Sequence, residues 1–372
     1  RLQDLHINSG NLLNLREILM SNTGFRLFEF TGSYANNNSR FNWYNTGYDK
    51  HTKFFTADSF NYCPAKERDE FVAASPYQTD FNTAHTGAIT IGPFDVSRFA
   101  KDSVLDMGII TIRDAVFTNH RDKRKPRLPG SVRSLPANFL KQIPIRVHAD
   151  TARISNALVL YEEVNERTGA TGKIVFSKLE GSVSHLRNYD LSPVDSLHVN
   201  ASGYLEEKLF IRLNVRESYT DPLGGFIMGV KMDSVDLTVF NPVLKPLVSA
   251  ELISGYLDSL NMQVVGREAF ASGTMKMIYH DLKIRVTGSR QKKQVFGSGI
   301  KSFFANTLVK NNNTKRTGTV FFERLRDRSA INYLVKITLS GISSSIGVKK
   351  SDRQAKKYRK QINDPLPATS IP

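Results

Sequence analysis

Aliphatic and polar residues alternate in short runs along most of this chain, and this pattern restricts its fold more than any other feature. Between residues 209 and 216 an aliphatic side chain occupies every second position. Such spacing predicts a β-strand that buries one face and exposes the other to water. The same spacing recurs at 235–239 and 278–286. The side chains that the pattern assigns to the apolar faces are Leu209, Ile211, Leu213, Val215, Val235, Leu237, Val239, Ile278, Leu282, Ile284 and Val286.

Strands are expected to make up most of the fold. The chain has 23 Phe residues, and Val, Ile and Thr are frequent, which favours strands over helices. Helical spacing is nearly absent before residue 320. Its 372 residues suffice for one large or two ordinary domains with a buried core. Further strands are predicted at 87–92, 107–118, 145–149, 153–162, 172–180, 195–205, 261–266 and 300–310.

A short internal repeat runs through this β pattern. Each copy has an aliphatic residue, two polar residues, a small residue and then apolar residues, and the copies begin at Ile7, Ile112, Ile154 and, more loosely, Leu252. Each unit predicts a strand, a kink at the small residue and a second strand. Stacked units of this kind give an elongated sheet and not a closed ball.

Helices are predicted at three places. A short one begins with Ser134 as N-cap and Pro136 in its first turn, and a second short crossing segment covers 241–247. The only long helix, from about Glu323 to Ile346, has one apolar stripe and basic residues around it. The predicted division of the chain is a β-groove over 1–320, the amphipathic helix over 321–347 and a basic, disordered tail over 348–372.

The net charge of +16 belongs to one end of the chain. Residues 1–282 contain 31 basic and 31 acidic residues, whereas residues 283–360 contain 20 basic and 3 acidic residues. This end either is simply solvated or faces an anionic partner such as lipid head groups. Nucleic acid is disfavoured, because aromatic and basic residues do not interleave there. The residues predicted to contact a membrane or another anionic surface are Arg324, Arg328, Lys336, Lys349, Lys350, Arg353, Lys356 and Lys357.

Motifs that carry chemistry are missing from the sequence. The single cysteine, Cys63, rules out an intrachain disulfide and a cysteine-built metal site. The eight His residues have no metal-ligand spacing, and no glycine pattern is suited to phosphate. His280 and Asp281 are adjacent on a predicted strand, so they point to opposite faces and cannot cooperate. We expect a protein that is not an enzyme and has neither cofactor nor metal.

Several segments resemble the AsmA-like family of bacterial envelope proteins, in its Bacteroidetes-type form. The resemblance covers roughly residues 85–345 and has no catalytic signature. The segments that carry it are Arg121-Asp122-Lys123-Arg124-Lys125-Pro126, Ile154-Ser155-Asn156-Ala157, Phe240-Asn241-Pro242, Lys245-Pro246-Leu247, Ile253-Ser254-Gly255-Tyr256-Leu257-Asp258-Ser259-Leu260 and Ala271-Ser272-Gly273-Thr274-Met275-Lys276-Met277-Ile278-Tyr279-His280-Asp281-Leu282-Lys283.

This resemblance implies a fold, a place and a partner. The fold would be mostly β: an elongated, curled antiparallel sheet forming an apolar groove, with short crossing helices and one C-terminal amphipathic helix. The chain would lie in the periplasm of a Gram-negative bacterium, anchored to the inner membrane by an N-terminal segment absent here. It would carry phospholipid or another acyl-chain lipid toward the outer membrane, as bridge-like lipid transfer proteins do.

Two alternatives remain open at the level of sequence. The apolar faces can pack on one another in a closed core, since periodicity does not distinguish a groove from a core. The chain can also be an envelope assembly or scaffold protein that acts on outer-membrane proteins and carries no lipid.

Overall fold

A computed structural model describes residues 2–3, 26–36, 38–248, 250–286, 309–348 and 350–358. The protein is mostly β, as predicted, and the nineteen strands in these ranges belong to one sheet. In chain order they are β1 (Leu2–Gln3), β2 (Arg26–Ala35), β3 (Ser39–Asp49), β4 (Phe54–Ala57), β5 (Ser59–Pro64), β6 (Asp80–Thr86), β7 (Ile89–Gly92), β8 (Val104–Asp106), β9 (Ile109–Arg113), β10 (Val116–Asp122), β11 (Arg146–Val164), β12 (Thr171–Arg187), β13 (Ser196–Leu205), β14 (Leu209–Ser218), β15 (Phe226–Met232), β16 (Val235–Asp236), β17 (Ala250–Gly266), β18 (Phe270–Val286) and β19 (Thr317–Glu323).

Neighbouring strands mostly follow chain order across the sheet. β2 pairs with β3, which pairs with both β4 and β5, and these pair in turn with β7 and β6. β7 then pairs with β9 and β6 with β10. From β11 the order is β12, β13, β14, β15, β17, β18 and β19, all antiparallel.

The sheet is mixed: most neighbouring strands are antiparallel, as predicted, but one group of strands is parallel. β8, β9 and β10 all run parallel to the long strand β11. The parallel strands contain two copies of the internal repeat, and Ile112 pairs with Ile154. Beyond the kinks, β10 continues beside β11 in the same alignment. Two copies of the repeat therefore lie side by side in register, with Asp114 and Asn156 both at a positive φ of 52°.

The two faces of the sheet differ in polarity. Directly paired residues share a face, so the register alone defines two adjacent rows of apolar side chains across the sheet. We call the face that carries them the apolar face. Its first row is Ile91, Ile110, Ala152, Val183, Val199, Val215, Met228 and Val264. Its second row includes Ile89, Ile112, Ile154, Ala201, Leu213, Val230, Met262 and Met275. The opposite, polar face presents Thr90, Thr111, Arg153, Ser182, Asn200 and Asn214.

Six α-helices accompany the sheet in the described ranges. None of them combines the length and the apolar character that a membrane crossing requires. The helix predicted near residue 134 is α3, but its N-cap is Leu135 and not Ser134. The helices are α1 (Arg68–Ala74), α2 (Val96–Asp102), α3 (Pro136–Lys141), α4 (Asn241–Val248), α5 (Ala330–Ser345) and α6 (Lys350–Lys357).

The strand predicted at 235–239 was wrong beyond its first two residues. The side chain of Asp236 caps the next turn by accepting a hydrogen bond from the backbone N–H of Thr238 at 2.8 Å. This cap starts a 3-10 helix over Leu237–Phe240, which leads directly into α4. The alternating pattern at this place therefore reports burial of the side chains and not extended backbone.

A bulge in β18 reverses which side chains face inward. Asp281 has a φ of 55°, and the pairing with β17 shifts beside it. Before the bulge, Tyr279 belongs to the buried core, while Ile278 and the exposed His280 lie on the polar face. After it, Leu282 is buried again. The assignment of Ile278 to the apolar face was therefore wrong, because an alternating pattern cannot reveal an inserted residue.

The long C-terminal helix begins later than predicted. Residues Thr317–Glu323 form the edge strand β19, and the helix α5 starts after Ser329, whose hydroxyl accepts a hydrogen bond from the N–H of Asn332. The tail was predicted to be disordered, yet Lys350–Lys357 is helical. Tyr358, directly after α6, stacks on Phe321 from the side of β19 opposite α5.

The main core lies between α5 and the second half of the sheet. Its buried cluster contains Ile337 of α5 with side chains of β14 to β19, and α4 packs against it through Leu244. Close approach requires a glycine at 341, because a Cβ there would lie 2.7 Å from Met275 Cε and 2.9 Å from Val320 Cγ2. Helix α5 therefore lies directly on the apolar face.

Candidate functional site

The first half of the apolar face is covered differently from the second. Among the described residues, the two buried hydrophobic clusters start at Leu135 in the chain, and neither includes a side chain from β2 to β10. Ile91, Ile110, Ile112 and Ile154 are consequently half-buried and not buried. The row side chains from β7 to β11 thus lie outside both buried clusters, and we call this part of the apolar face the open half.

Aromatic side chains extend this open face toward β2. Tyr34 pairs with Phe41, Phe41 with Tyr62, and Tyr62 with Ala84, so all four lie on the same face as the apolar rows. The ring centroids of Phe41 and Tyr62 are 5.2 Å apart, and Tyr34 is 56 % exposed. Tyrosine combines an apolar ring with a polar tip and suits a boundary between apolar material and water.

Most of the predicted groove-lining side chains share one face, but they lie in its covered half. Leu209, Val235, Leu237 and Leu282 are buried in the main core under α4 and α5, so they do not line an open groove. A second group is half-buried and packs against that core: Ile211, Leu213, Val215, Val239 and Ile284. The side chain of Val286 lies outside the described residues.

The second half of the face is therefore a closed core, whereas an open groove over the first half stays a prediction. The residues of the open half were not among the predicted lining residues. Two sequence patterns point to them: the strand predicted at 87–92, and the repeat copies at Ile112 and Ile154.

Two residues predicted to contact an anionic surface are buried. The side chain of Arg324 is completely buried and forms an ion pair with Glu268. Arg328 is 8 % exposed and donates a hydrogen bond to Gln78 Oε1 at 3.2 Å. The prediction of contact with a membrane was therefore wrong for both residues, since their guanidinium groups bind partners inside the protein. Lys336 is half-buried on α5.

The remaining basic residues of that prediction belong to the tail. Arg353, Lys356 and Lys357 of α6 are exposed, and their contact with an anionic surface stays a prediction. Lys349 and the side chain of Lys350 lie outside the described residues.

Contacts between distant parts of the chain hold the sheet in its curled form. The segment before α5 reaches the segment between β10 and β11: Arg133 N–H donates to the carbonyl of Arg326 at 2.8 Å, and Arg127 lies 3.5 Å from Asp327. The bond from Arg328 to Gln78 joins the same segment to a residue two positions before β6. These contacts connect the segment before α5 with the first half of the sheet.

Charged side chains gather where these segments meet, and we call them the basic cluster. Arg121 Nε is 2.6 Å from Asp80, and Lys123 Nζ is 2.6 Å from Glu163. Burial raises the pKa of Tyr161, and the carboxylate of Glu163 raises it further. The members are the cations Arg121, Lys123, Arg127, Arg133, Arg328 and Lys336 and the carboxylates Asp80, Glu163 and Asp327.

A second titratable group lies inside the core, at the end of β14. Glu217 is 4 % exposed, and burial raises the pKa of its carboxyl to about 7. A hydrogen bond with the backbone of Ala137 in α3 and the positive charge of Arg324 act in the opposite direction. This carboxyl therefore changes its charge near neutral pH.

Metal chemistry has no evident place in the described ranges, where no group of three or more His, Cys, Asp or Glu side chains could hold an ion. No protein-family model and no curated protein matches this chain. The resemblance to the AsmA-like family stays a prediction.

Proposed function

We propose that this chain binds acyl-chain lipid on its apolar face and helps move phospholipid between the inner and outer membranes of a Gram-negative bacterium, in the periplasm. The observation that supports this proposal is the pair of apolar rows that cross the sheet from β7 to β14. The first row is continuous from strand to strand, and the second is interrupted by Gly181 in β12. Both are half-buried in their first part and backed by a polar face.

The length of these rows suits a lipid tail. The row from Ile91 to Val215 crosses six neighbouring strands. With about 4.8 Å between strands, it is about 24 Å long. One leaflet of a bilayer contributes about 15 Å to the hydrocarbon core, so the row is longer than one acyl chain. Its first three members, Ile91, Ile110 and Ala152, lie outside both buried clusters, so a chain would contact aliphatic side chains over about 10 Å of this row.

An uncovered apolar surface of this size needs an explanation. Large exposed apolar patches on soluble domains mark sites for a ligand, a partner or a membrane. Each apolar Å² that a guest removes from water contributes about 25 cal/mol. A scaffold protein would gain the same free energy by burying this area against a protein partner, and the experiment with Ile112→Asp distinguishes the two functions.

Ile112→Asp tests the proposal at the open half of the face. Ile112 is half-buried and outside both buried clusters, so the variant should fold. A carboxylate against an acyl chain costs several kcal/mol, so lipid binding should fall by at least about tenfold. Thr111→Asp is the matched control, because Thr111 is also half-buried but points to the polar face.

The measurement is native mass spectrometry of protein purified from bacterial membranes, followed by phospholipid transfer between vesicles. The wild type and Thr111→Asp should retain phospholipid and transfer it, whereas Ile112→Asp should not. Lipid-free wild type that transfers nothing would reject the proposal. Cross-linking to outer-membrane proteins under the same conditions would then favour the scaffold function.

A further inference from the structure

The charge of the basic cluster is not balanced within the protein. Its six cations face three carboxylates, all on or beside the apolar face. Arg121 and Lys123 each form a short ion pair, with Asp80 and Glu163 respectively. Three positive charges are left over: Lys336 is half-buried, whereas the side chains of Arg127 and Arg133 are about half exposed to water. Such an excess destabilises the cluster unless an anion binds to it.

Lys336 is the least compensated of these cations. No described residue forms a salt bridge with its ammonium group, although the side chain is half-buried. Burial lowers the pKa of Lys336, and the positive charges of Lys123 and Arg328 lower it further. Burial and the neighbouring Arg127 likewise lower the pKa of Arg328. The groups that face Lys336 are thus mainly cations, with Glu163 as the opposing carboxylate.

The position of the cluster relates it to the apolar rows. Arg121 pairs with Glu163 on the same face on which Phe117 pairs with Val159. Val159 and Glu163 are four positions apart on β11, which corresponds to about 13 Å along the strand. A molecule whose apolar tail lies against Phe117 and Val159 could therefore place a charged group at the cluster. The arrangement is amphipathic in the same sense as a lipid.

We propose that the basic cluster binds a phosphate group, with Lys336 as its principal ligand. Phosphate oxygens accept hydrogen bonds from several Lys and Arg donors at once, and such charge-assisted bonds are the strong ones. The phosphate can belong to a lipid head group or be free in solution. The lipid source rests on the proposed function, whereas the free source does not.

Three probes distinguish these sources by calorimetry below their micelle concentrations. Dodecyl phosphate carries the tail and the phosphate, dodecyl maltoside carries the tail alone, and inorganic phosphate carries no tail. The wild type should bind dodecyl phosphate most tightly. Lys336→Met should weaken that binding by about tenfold and leave dodecyl maltoside binding unchanged.

Two further variants control for folding and for overall charge. Lys283→Met removes the same charge from an exposed lysine that is next to Leu282 and points away from the core, and it should bind dodecyl phosphate like the wild type. Lys336→Arg keeps a cation in the cluster and should retain binding within a few fold, even if the Met variant is poorly folded.

The outcomes separate the two proposals. Equal affinity for inorganic phosphate and dodecyl phosphate, lost in Lys336→Met, supports a site for free phosphate. Equal affinity for dodecyl phosphate and dodecyl maltoside overturns the phosphate site and leaves tail binding intact. If Lys336→Met and Lys283→Met lose the same affinity for dodecyl phosphate, the site is overturned as well, because the overall positive charge of the protein would then explain the binding. Phosphate binding with no binding of either dodecyl probe retains the site and rejects the lipid proposal.

Discussion

Glu217 should make the protein less stable as the pH rises from 5 to 8. Its carboxyl is buried, and the pKa is raised from 4.5 to about 7. Below pH 4.5 the group is protonated in both the folded and the unfolded chain, so no penalty exists. Between these values the unfolded chain releases its proton first. Above pH 7 the folded protein holds a buried carboxylate, and the penalty is complete.

The size of this penalty follows from the shift. One pKa unit corresponds to about 1.4 kcal/mol, so the change from 4.5 to about 7 amounts to about 3 kcal/mol at high pH. Most of it, about 2 to 3 kcal/mol, should develop between pH 5 and pH 8. Glu217→Gln removes the charge and keeps an oxygen that can accept from the backbone of Ala137. The variant should therefore be the more stable protein at pH 8.

Urea unfolding at both pH values measures the difference. The gap in the free energy of unfolding between Glu217→Gln and the wild type should grow by about 2 to 3 kcal/mol from pH 5 to pH 8. Glu207→Gln is the control, because Glu207 is exposed in the turn between β13 and β14. The difference in the free energy of unfolding between this variant and the wild type should be the same at both pH values. A constant gap for Glu217→Gln would refute the burial of an uncompensated carboxyl in this core.

Two further variants test the core and the kinked strands. Ile337→Ala should lower the free energy of unfolding by about 2 to 5 kcal/mol, because Ile337 is fully buried between α5 and the sheet; an exposed-site control is Ile331→Ala on the same helix, which should cost far less in the same urea titration. Asn156→Val should be about 1 to 2 kcal/mol less stable than Asn156→Gly, because a branched residue resists the φ of 52° at this position; equal thermal and urea stability of the two variants would contradict the kink.

The sequence was sufficient to predict the structure where that structure depends on residues that are close together in the chain. Alternation over 209–216 predicted β14 correctly, because its faces follow directly from the period of two. The repeat at Ile112 and Ile154 likewise predicted strand, kink and strand. The parallel pairing of these copies was not predictable, since it requires the segment between β10 and β11 to cross the face.

The errors come from contacts between residues far apart in the chain. Arg324 is a charged residue in a basic segment, which is typical of the protein surface. In the structure it is buried, pairs with Glu268 and lies over the ring of Tyr333. Ile278 changes face because one residue, Asp281, is added to its strand. Neither a distant ion-pair partner nor an inserted residue can be recognised from the local sequence pattern.

The in-register alignment of the two repeat copies has a consequence for how such a chain can change in length. A further copy of the repeat inserted beside β11 could pair with it as β9 and β10 do, with the kinks of the two strands aligned. Insertion or loss of a whole unit would widen or narrow the sheet by about 5 Å per strand and leave every other pairing undisturbed. Insertion of a single residue would instead exchange the two faces from that point onward. The reach of the protein is thus adjustable in discrete steps, each the width of one strand.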